Sequence, residues 1–224
     1  MKLDATHPTV LALSEILPDA EISGGSFAHW LPHPTEITAE DRPRVFKSAY
    51  DAAVDECLRG LIQSAGLPED TTVANGPDGQ RLWPRGFVGS VTHKGTIVLG
   101  AIAPRSFLES LGIDLERRGG RHVAGMAGFI APEGVPPGND ADFETLLVFS
   151  AKEAVFKAFF ALRQMRLEFR DVRLRWRSRD LDCLEASAKC PGVRSFVVRC
   201  RCLDGWIVSA AVPEPSDRKR PGAC

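Results

Sequence analysis

The hydrophobic positions of this chain change period several times. Across residues 39–66, Val45, Ala49, Ala52, Ala53, Leu58, Leu61 and Ile62 recur at helical spacing, and Gly66 followed by Pro68 ends the run. Residues 87–92 and 96–103 alternate or run apolar as strands do, and His93-Lys94-Gly95 between them reads as a hairpin turn. Residues 111–116 predict another strand. A second helix is predicted from Phe149, with Ser150 as the capping signal, to about Met165. Strands follow at residues 172–176 and 184–188, then at 195–202 and 206–212, the last two joined by the hairpin signal Leu203-Asp204-Gly205. Each half reads as a helix followed by antiparallel strands, which is an α+β pattern.

Other stretches are less regular. Residues 1–40 carry short apolar pieces broken by prolines and Gly24-Gly25, predicting irregular structure with one or two strands. Residues 76–79 are turn chemistry. Residues 117–142, rich in glycine and proline, predict short helices and a mobile loop. The tail 214–224 is Pro- and charge-rich and is expected to be disordered.

Composition narrows the class. The 224 residues, 44% hydrophobic and 25% charged, match a soluble globular protein of one large or two small domains. A formal net charge of -1 offers no bulk attraction for nucleic acid, and no apolar run reaches the length of a membrane span, so neither nucleic acid nor membrane is expected as a partner. Locally, Arg163, Arg166, Arg170, Arg173, Arg175, Arg177 and Arg179 crowd one stretch, as a solvated face or a meeting surface for an acidic partner. The cysteines (Cys57, Cys183, Cys190, Cys200, Cys202, Cys224) lack metal-site spacing, and with no secretory signal at the start they are expected as reduced thiols in the cytoplasm. His29 and His33 flank Trp30-Leu31-Pro32 without a third ligand in view.

Two pieces carry candidate chemistry. In Gly112-Ile113-Asp114-Leu115-Glu116, strand alternation sets Asp114 and Glu116 on one face and Ile113 and Leu115 on the other. In the predicted helix after Phe149, Glu153 and Lys157 are one turn apart and share a face, with Lys152 beside them in sequence. Three carboxylates from a strand and a helix make an all-oxygen set suited to Mg²⁺, with Mn²⁺ as the alternative ion, and Lys157 could neutralise a phosphate there.

Together with Ser90-Val91-Thr92-His93 and the lead-in Trp83-Pro84-Arg85-Gly86-Phe87-Val88-Gly89, these pieces resemble the 4′-phosphopantetheinyl transferases of the larger, single-chain Sfp/EntD type. The resemblance spans residues 76–160. It implies two similar α+β lobes with pseudo-twofold symmetry, each a helix packed on a small antiparallel sheet: residues 1–116, closed by the acidic strand, and 117–213, opened by the Lys-Glu helix. The cleft between them would hold the site. It further implies transfer of the 4′-phosphopantetheine arm of coenzyme A to a serine of an apo acyl or peptidyl carrier protein by a monomer. Mg²⁺ would sit on Asp114, Glu116 and Glu153, with Glu153 as proton acceptor and Lys157 on the pyrophosphate. His93, with Ser90 or Thr92, would meet the 3′-phosphate of coenzyme A. Arg44, Lys47, Arg85 and Lys152 are further coenzyme contacts, as is Arg81, where relatives often have proline. Arg163, Arg166 or apolar residues between Val123 and Phe129 would meet the carrier.

Two rival readings differ in class. A metal-dependent nuclease usually needs an acidic residue two before its lysine, and Val155 stands there. A non-catalytic relative that only binds coenzyme A or carrier protein would be expected to have lost its acidic ligands, which are all present.

Overall fold

The computed structural model describes residues 1–31, 38, 40–119, 125–135, 140–177, 183–190, 192 and 195–215. His33, Ala39, Val123, Arg179, Cys224 and residues 216–224 of the tail lie outside the described residues.

The first element departs from expectation. Residues 8–16, read as irregular, form helix α1 (Pro8–Ile16). Pro8 sits in its first turn, where a missing N–H costs nothing, and His7 caps it by accepting from the Thr9 N–H. Its stripe of Val10, Ala12, Leu13 and Ile16 is buried. Strand β1 (Glu21–Ser26) and helix α2 (Arg42–Ser64) follow, then the short pair β2 (Ala74–Asn75) and β3 (Arg81–Leu82). Strands β4 (Phe87–Lys94) and β5 (Ile97–Pro104) form the expected hairpin, but its turn is Gly95-Thr96. His93 and Lys94 therefore belong to β4 and not to the turn. Strand β6 (Gly112–Arg117) carries the acidic pair, and the short helix α3 (Ala127–Ile130) lies in the glycine-rich stretch.

Helix α4 (Ala141–Arg163) starts eight residues before the predicted site. Asp140 is its cap, accepting from the Phe143 N–H at 3.0 Å. Ser150 is an interior, fully buried residue whose hydroxyl meets Ser209 Oγ at 2.9 Å. A serine carries the same side chain at a cap and in a core, and only the packing tells them apart. The last strands are β7 (Arg173–Trp176), β8 (Cys183–Lys189), β9 (Phe196–Leu203) and β10 (Trp206–Pro213). The β9–β10 turn falls on Asp204-Gly205, both at positive φ, as the hairpin signal predicts.

The strands pair antiparallel in a three-stranded sheet, β1-β5-β4, a five-stranded sheet, β6-β10-β9-β8-β7, and the small β2-β3 pair. The fold is α+β. Helix α2 covers one face of the three-stranded sheet through Ala53, Val54, Cys57, Leu61, Val98 and Ile102. Helix α4 covers one face of the five-stranded sheet through Leu147, Ala151, Ala154, Val155, Ala186 and Val198. Between the sheets, α1 joins Leu99, Ala101, Ile113, Leu115 and Val208 in a central core. Cys57, buried under β1, donates to Ser23 O, and burial pushes its thiol up to about 12.

One pairing differs from the sequence reading. Expected to close the first lobe, β6 hydrogen-bonds to β10 and forms the edge of the five-stranded sheet, Asp114 opposite Ser209 and Glu116 opposite Ile207. Alternation predicts which face a strand residue takes; it does not say which edge the strand will join.

Candidate active site

The site is built where the two sheets and α4 meet. Gly112 allows the closest approach: a Cβ there would stand 1.9 Å from Ala154 O. The start of β6 thus lies against the backbone of α4, and no side chain but hydrogen fits. Because paired residues share a face, Asp114 lies on the face of Ser209 and hence of Ser150, toward α4. Glu116 shares that face by alternation.

Strand β4 runs beside the outer edge of β6 and serves it with side chains two residues apart. Ser90 Oγ accepts from the Ile113 N–H at 3.1 Å, Thr92 Oγ1 donates to Asp114 Oδ1 at 3.3 Å, and Lys94 ion-pairs with Glu116. From α4, Lys157 Nζ donates to Ile113 O at 2.8 Å and to Asp114 Oδ1 at 2.9 Å. Residues from two separate motifs thereby fasten the strand that carries the third. Upstream, Gly89 lets Trp83 lie on β4, since a Cβ there would come within 2.7 Å of the indole.

Burial and crowding set the electrostatics. Burial pushes the Glu116 carboxyl up, and neighbouring Asp114 adds to this while Lys94 opposes it. Glu153, half-buried on α4, is likewise raised by burial first, then by Asp114 and Glu116, with Lys157 opposing. Among the described residues, Asp114 Oδ2 is buried without a hydrogen-bond partner. The three carboxylates therefore interact in one neighbourhood, next to Lys94 and Lys157.

An orphaned carboxylate oxygen among two crowded acids fits a hard cation in charge and donor type. As the side chains stand, no three acidic, histidine or cysteine groups among the described residues converge closely enough to hold an ion. Lys94 and Lys157 already occupy oxygens on Glu116 and Asp114. A cation would compete with these ammonium groups.

The coenzyme candidates separate. His93 projects from the opposite face of β4, exposed, with its ring 4.5 Å from that of Tyr50 on α2. Partial burial of the ring and then the Lys157 charge hold its imidazole below the usual range, Asp114 opposing. Lys47, one turn before Tyr50, is exposed and pairs with Asp51 at 2.6 Å. Arg44 pairs with Asp41 and lines a surface cavity of about 480 Å³ with Trp30, Ser48 and Ala52. Arg85 is exposed before β4, and the strand from Phe87 to His93 separates it from the histidine by roughly 20 Å.

Three expectations need correction. Ser90 and Thr92 are buried and turned to β6, where they fasten the strand rather than offer hydroxyls outward to a phosphate. Lys152 is fully buried, pairing with Glu133 at 2.8 Å and donating to Phe169 O at 2.9 Å. At 100° per helical residue it points away from the Glu153 side, and its ammonium is committed to Glu133 and Phe169 O. Among the arginines, Arg163 is exposed and donates to Gly192 O, and Arg170, also exposed, pairs with Glu168. Lys94, Tyr50 and Glu133 were missed. Lys94 was legible in principle, two residues after Thr92 on the same strand face; Tyr50 and Glu133 carry no such local signal.

Comparison with known proteins follows the same residues. No protein-family model matches the chain. It is 33% identical over 129 residues to the 4′-phosphopantetheinyl transferase Svp of Streptomyces mobaraensis, covering 55% of this chain and 52% of that protein. It is 30% identical over 160 residues to the transferase Npt of Nocardia iowensis, covering 66% of this chain and 68% of the relative. With PptT of Mycobacterium tuberculosis it shares 26% over 183 residues, 72% and 76% of the two chains. The match thus spans about half the length of the Streptomyces protein and more of the other two. No helix among the described residues is long and apolar enough to cross a membrane.

Proposed function

Because the chain belongs to the 4′-phosphopantetheinyl transferase family, we propose that it transfers the 4′-phosphopantetheine arm of coenzyme A to a serine of an apo acyl or peptidyl carrier protein, releasing 3′,5′-ADP. The observation that carries this reading is the convergence of the β4, β6 and α4 motifs, with Lys157 tied to Asp114 beside Glu153.

In this reaction the carrier serine oxygen forms a bond to the pantetheine-side phosphorus. The bond from that phosphorus to the bridging oxygen breaks, and the bridging oxygen leaves as part of the 5′-phosphate of 3′,5′-ADP. The protein's part is positioning and charge stabilisation. Glu153, on the α4 face beside Asp114 and Lys157, takes the serine proton. Lys157, one helical turn further, offers its ammonium to the pyrophosphate, with Lys94 as a second cation on the β4 side. Asp114, Glu116 and Glu153 would hold Mg²⁺ or Mn²⁺, which supplies further charge neutralisation for the pyrophosphate when bound. His93 and the Lys47 turn of α2 form the side on which the 3′-phosphate is bound.

The test is mass spectrometry of an apo carrier protein incubated with coenzyme A, Mg²⁺ and the protein. A phosphopantetheine increment on the carrier serine, lost in Glu153→Ala, is the expected result. No increment on acyl or peptidyl carriers, with coenzyme A still bound, would refute transfer and favour a binding-only protein.

A further inference from the structure

Glu153 stands on a border. On one side of it along α4 lie Lys157, Asp114 and Glu116, the charged side. On the other lie Phe149 and Phe156, four residues before and three after it, which belong to the same helical face. Both rings meet Phe169, at centroid distances of 5.6 and 5.1 Å, and Phe169 meets Phe129 at 5.6 Å. Phe129 is 64% exposed and Met126, at the start of the same short helix, 42%. An aromatic shelf thus opens to solvent beside the proposed base.

Lys152 holds this shelf from beneath. Its fully buried ammonium donates to Phe169 O at 2.9 Å and to Glu133 Oε2 at 3.0 Å. Glu133 Oε1 also accepts from the Leu174 N–H at 3.3 Å, tying in the start of β7. Two segments distant in sequence, Phe129 to Glu133 and Phe169 to Leu174, are therefore joined to the residue next to Glu153 through one ammonium and its partner carboxylate. A buried ion pair of this kind is a weak source of net stability, because desolvation offsets the attraction, but it imposes one geometry on what it joins.

We infer that Lys152 is a positioning residue for the acceptor substrate: through Glu133 and Phe169 it sets the aromatic shelf on which the carrier protein rests while its serine faces Glu153. The inference rests on the transferase reading above. The assignment to the acceptor follows from charge. A polyanionic coenzyme is drawn to the side of Lys94 and Lys157. The shelf of Phe129, Phe149, Phe156 and Phe169 instead presents aromatic rings, and the ammonium beneath it, Lys152, is paired with Glu133. The acceptor must approach Glu153 from the remaining side.

Removing Lys152 alone would strand Glu133 and threaten folding, so the variant for the test is Lys152→Met with Glu133→Gln, which removes both charges and keeps an oxygen for the Leu174 N–H. Phe129→Ala, at an exposed ring, probes the shelf without touching the clamp. Steady-state kinetics are measured with coenzyme A and an apo carrier protein varied in turn, on variants whose urea unfolding is cooperative. Expected is a rise of roughly tenfold in KM for the carrier in both variants, with KM for coenzyme A unchanged. Unchanged carrier KM, or an equal rise in both KM values, overturns the inference while leaving the transferase reading standing. If the unmodified protein transfers nothing to any carrier, the transferase reading falls and this inference with it.

Discussion

Replacing Gly112 by alanine asks whether the acidic strand is placed by its contact with α4. The added methyl would stand 1.9 Å from Ala154 O and 2.6 Å from Ala158 N, both backbone atoms that cannot rotate aside. Since a Cβ essentially never comes within 3.0 Å of another heavy atom, strand and helix must part by at least 3.0 − 1.9, or about 1.1 Å. Carried into the 2.8 Å bond from Lys157 to Ile113 O, that movement stretches it to about 3.9 Å, beyond hydrogen-bond range. Overpacking of this kind costs about 1–3 kcal/mol, and a displacement of ~1 Å at reacting groups costs ~10²-fold in rate. Urea unfolding measures the first and initial rates of carrier modification the second. Gly25→Ala on β1 is the control, because a methyl there meets nothing closer than 3.7 Å, an ordinary contact. A Gly112→Ala protein within about 0.5 kcal/mol of the parent, with an unchanged rate, would refute the reasoning.

Two further outcomes follow from the same geometry. Lys157→Met removes two hydrogen bonds and leaves the Asp114 carboxylate, among the described residues, with the Thr92 hydroxyl; stability should fall by about 1–3 kcal/mol in urea unfolding and kcat/KM by at least ~10²-fold, and a variant that keeps its rate would remove Lys157 from the site. His93 is held below the usual imidazole range in the folded protein, so it contributes stability above the unfolded value that is lost as pH falls from there through the lower folded value. A phosphate beside the ring favours the protonated form. Coenzyme A affinity by calorimetry should therefore rise as pH falls from about 8 to about 6, and the rise should be smaller in His93→Gln; equal slopes would exclude contact with the phosphate.

Much of the site was legible from local patterns. The shared face of Asp114 and Glu116 follows from strand alternation, and that of Glu153 and Lys157 from the helical turn; both periods are properties of the backbone. The early start of α4 was less legible, because Ser150 resembles a cap and Asp140 lies within a glycine- and proline-rich stretch. Helix α1 was masked in the same way by Pro8, which breaks helices anywhere except their first turn.

By itself the sequence determined which side chains share a face, which turns are tight and which motifs carry carboxylate and ammonium groups. Each of these depends on backbone geometry over a few neighbouring residues. Only the tertiary structure decided that β6 joins β10, that Ser90 and Thr92 serve the edge of β6, that Lys94 meets Glu116, and that Lys152 turns from Glu153 to Glu133 and Phe169. Those partners lie some twenty to ninety residues apart. Whether they meet depends on which sheet edge a strand finds and how closely a helix can lie upon it, and at Gly112 that closeness depends on the absence of one methyl group.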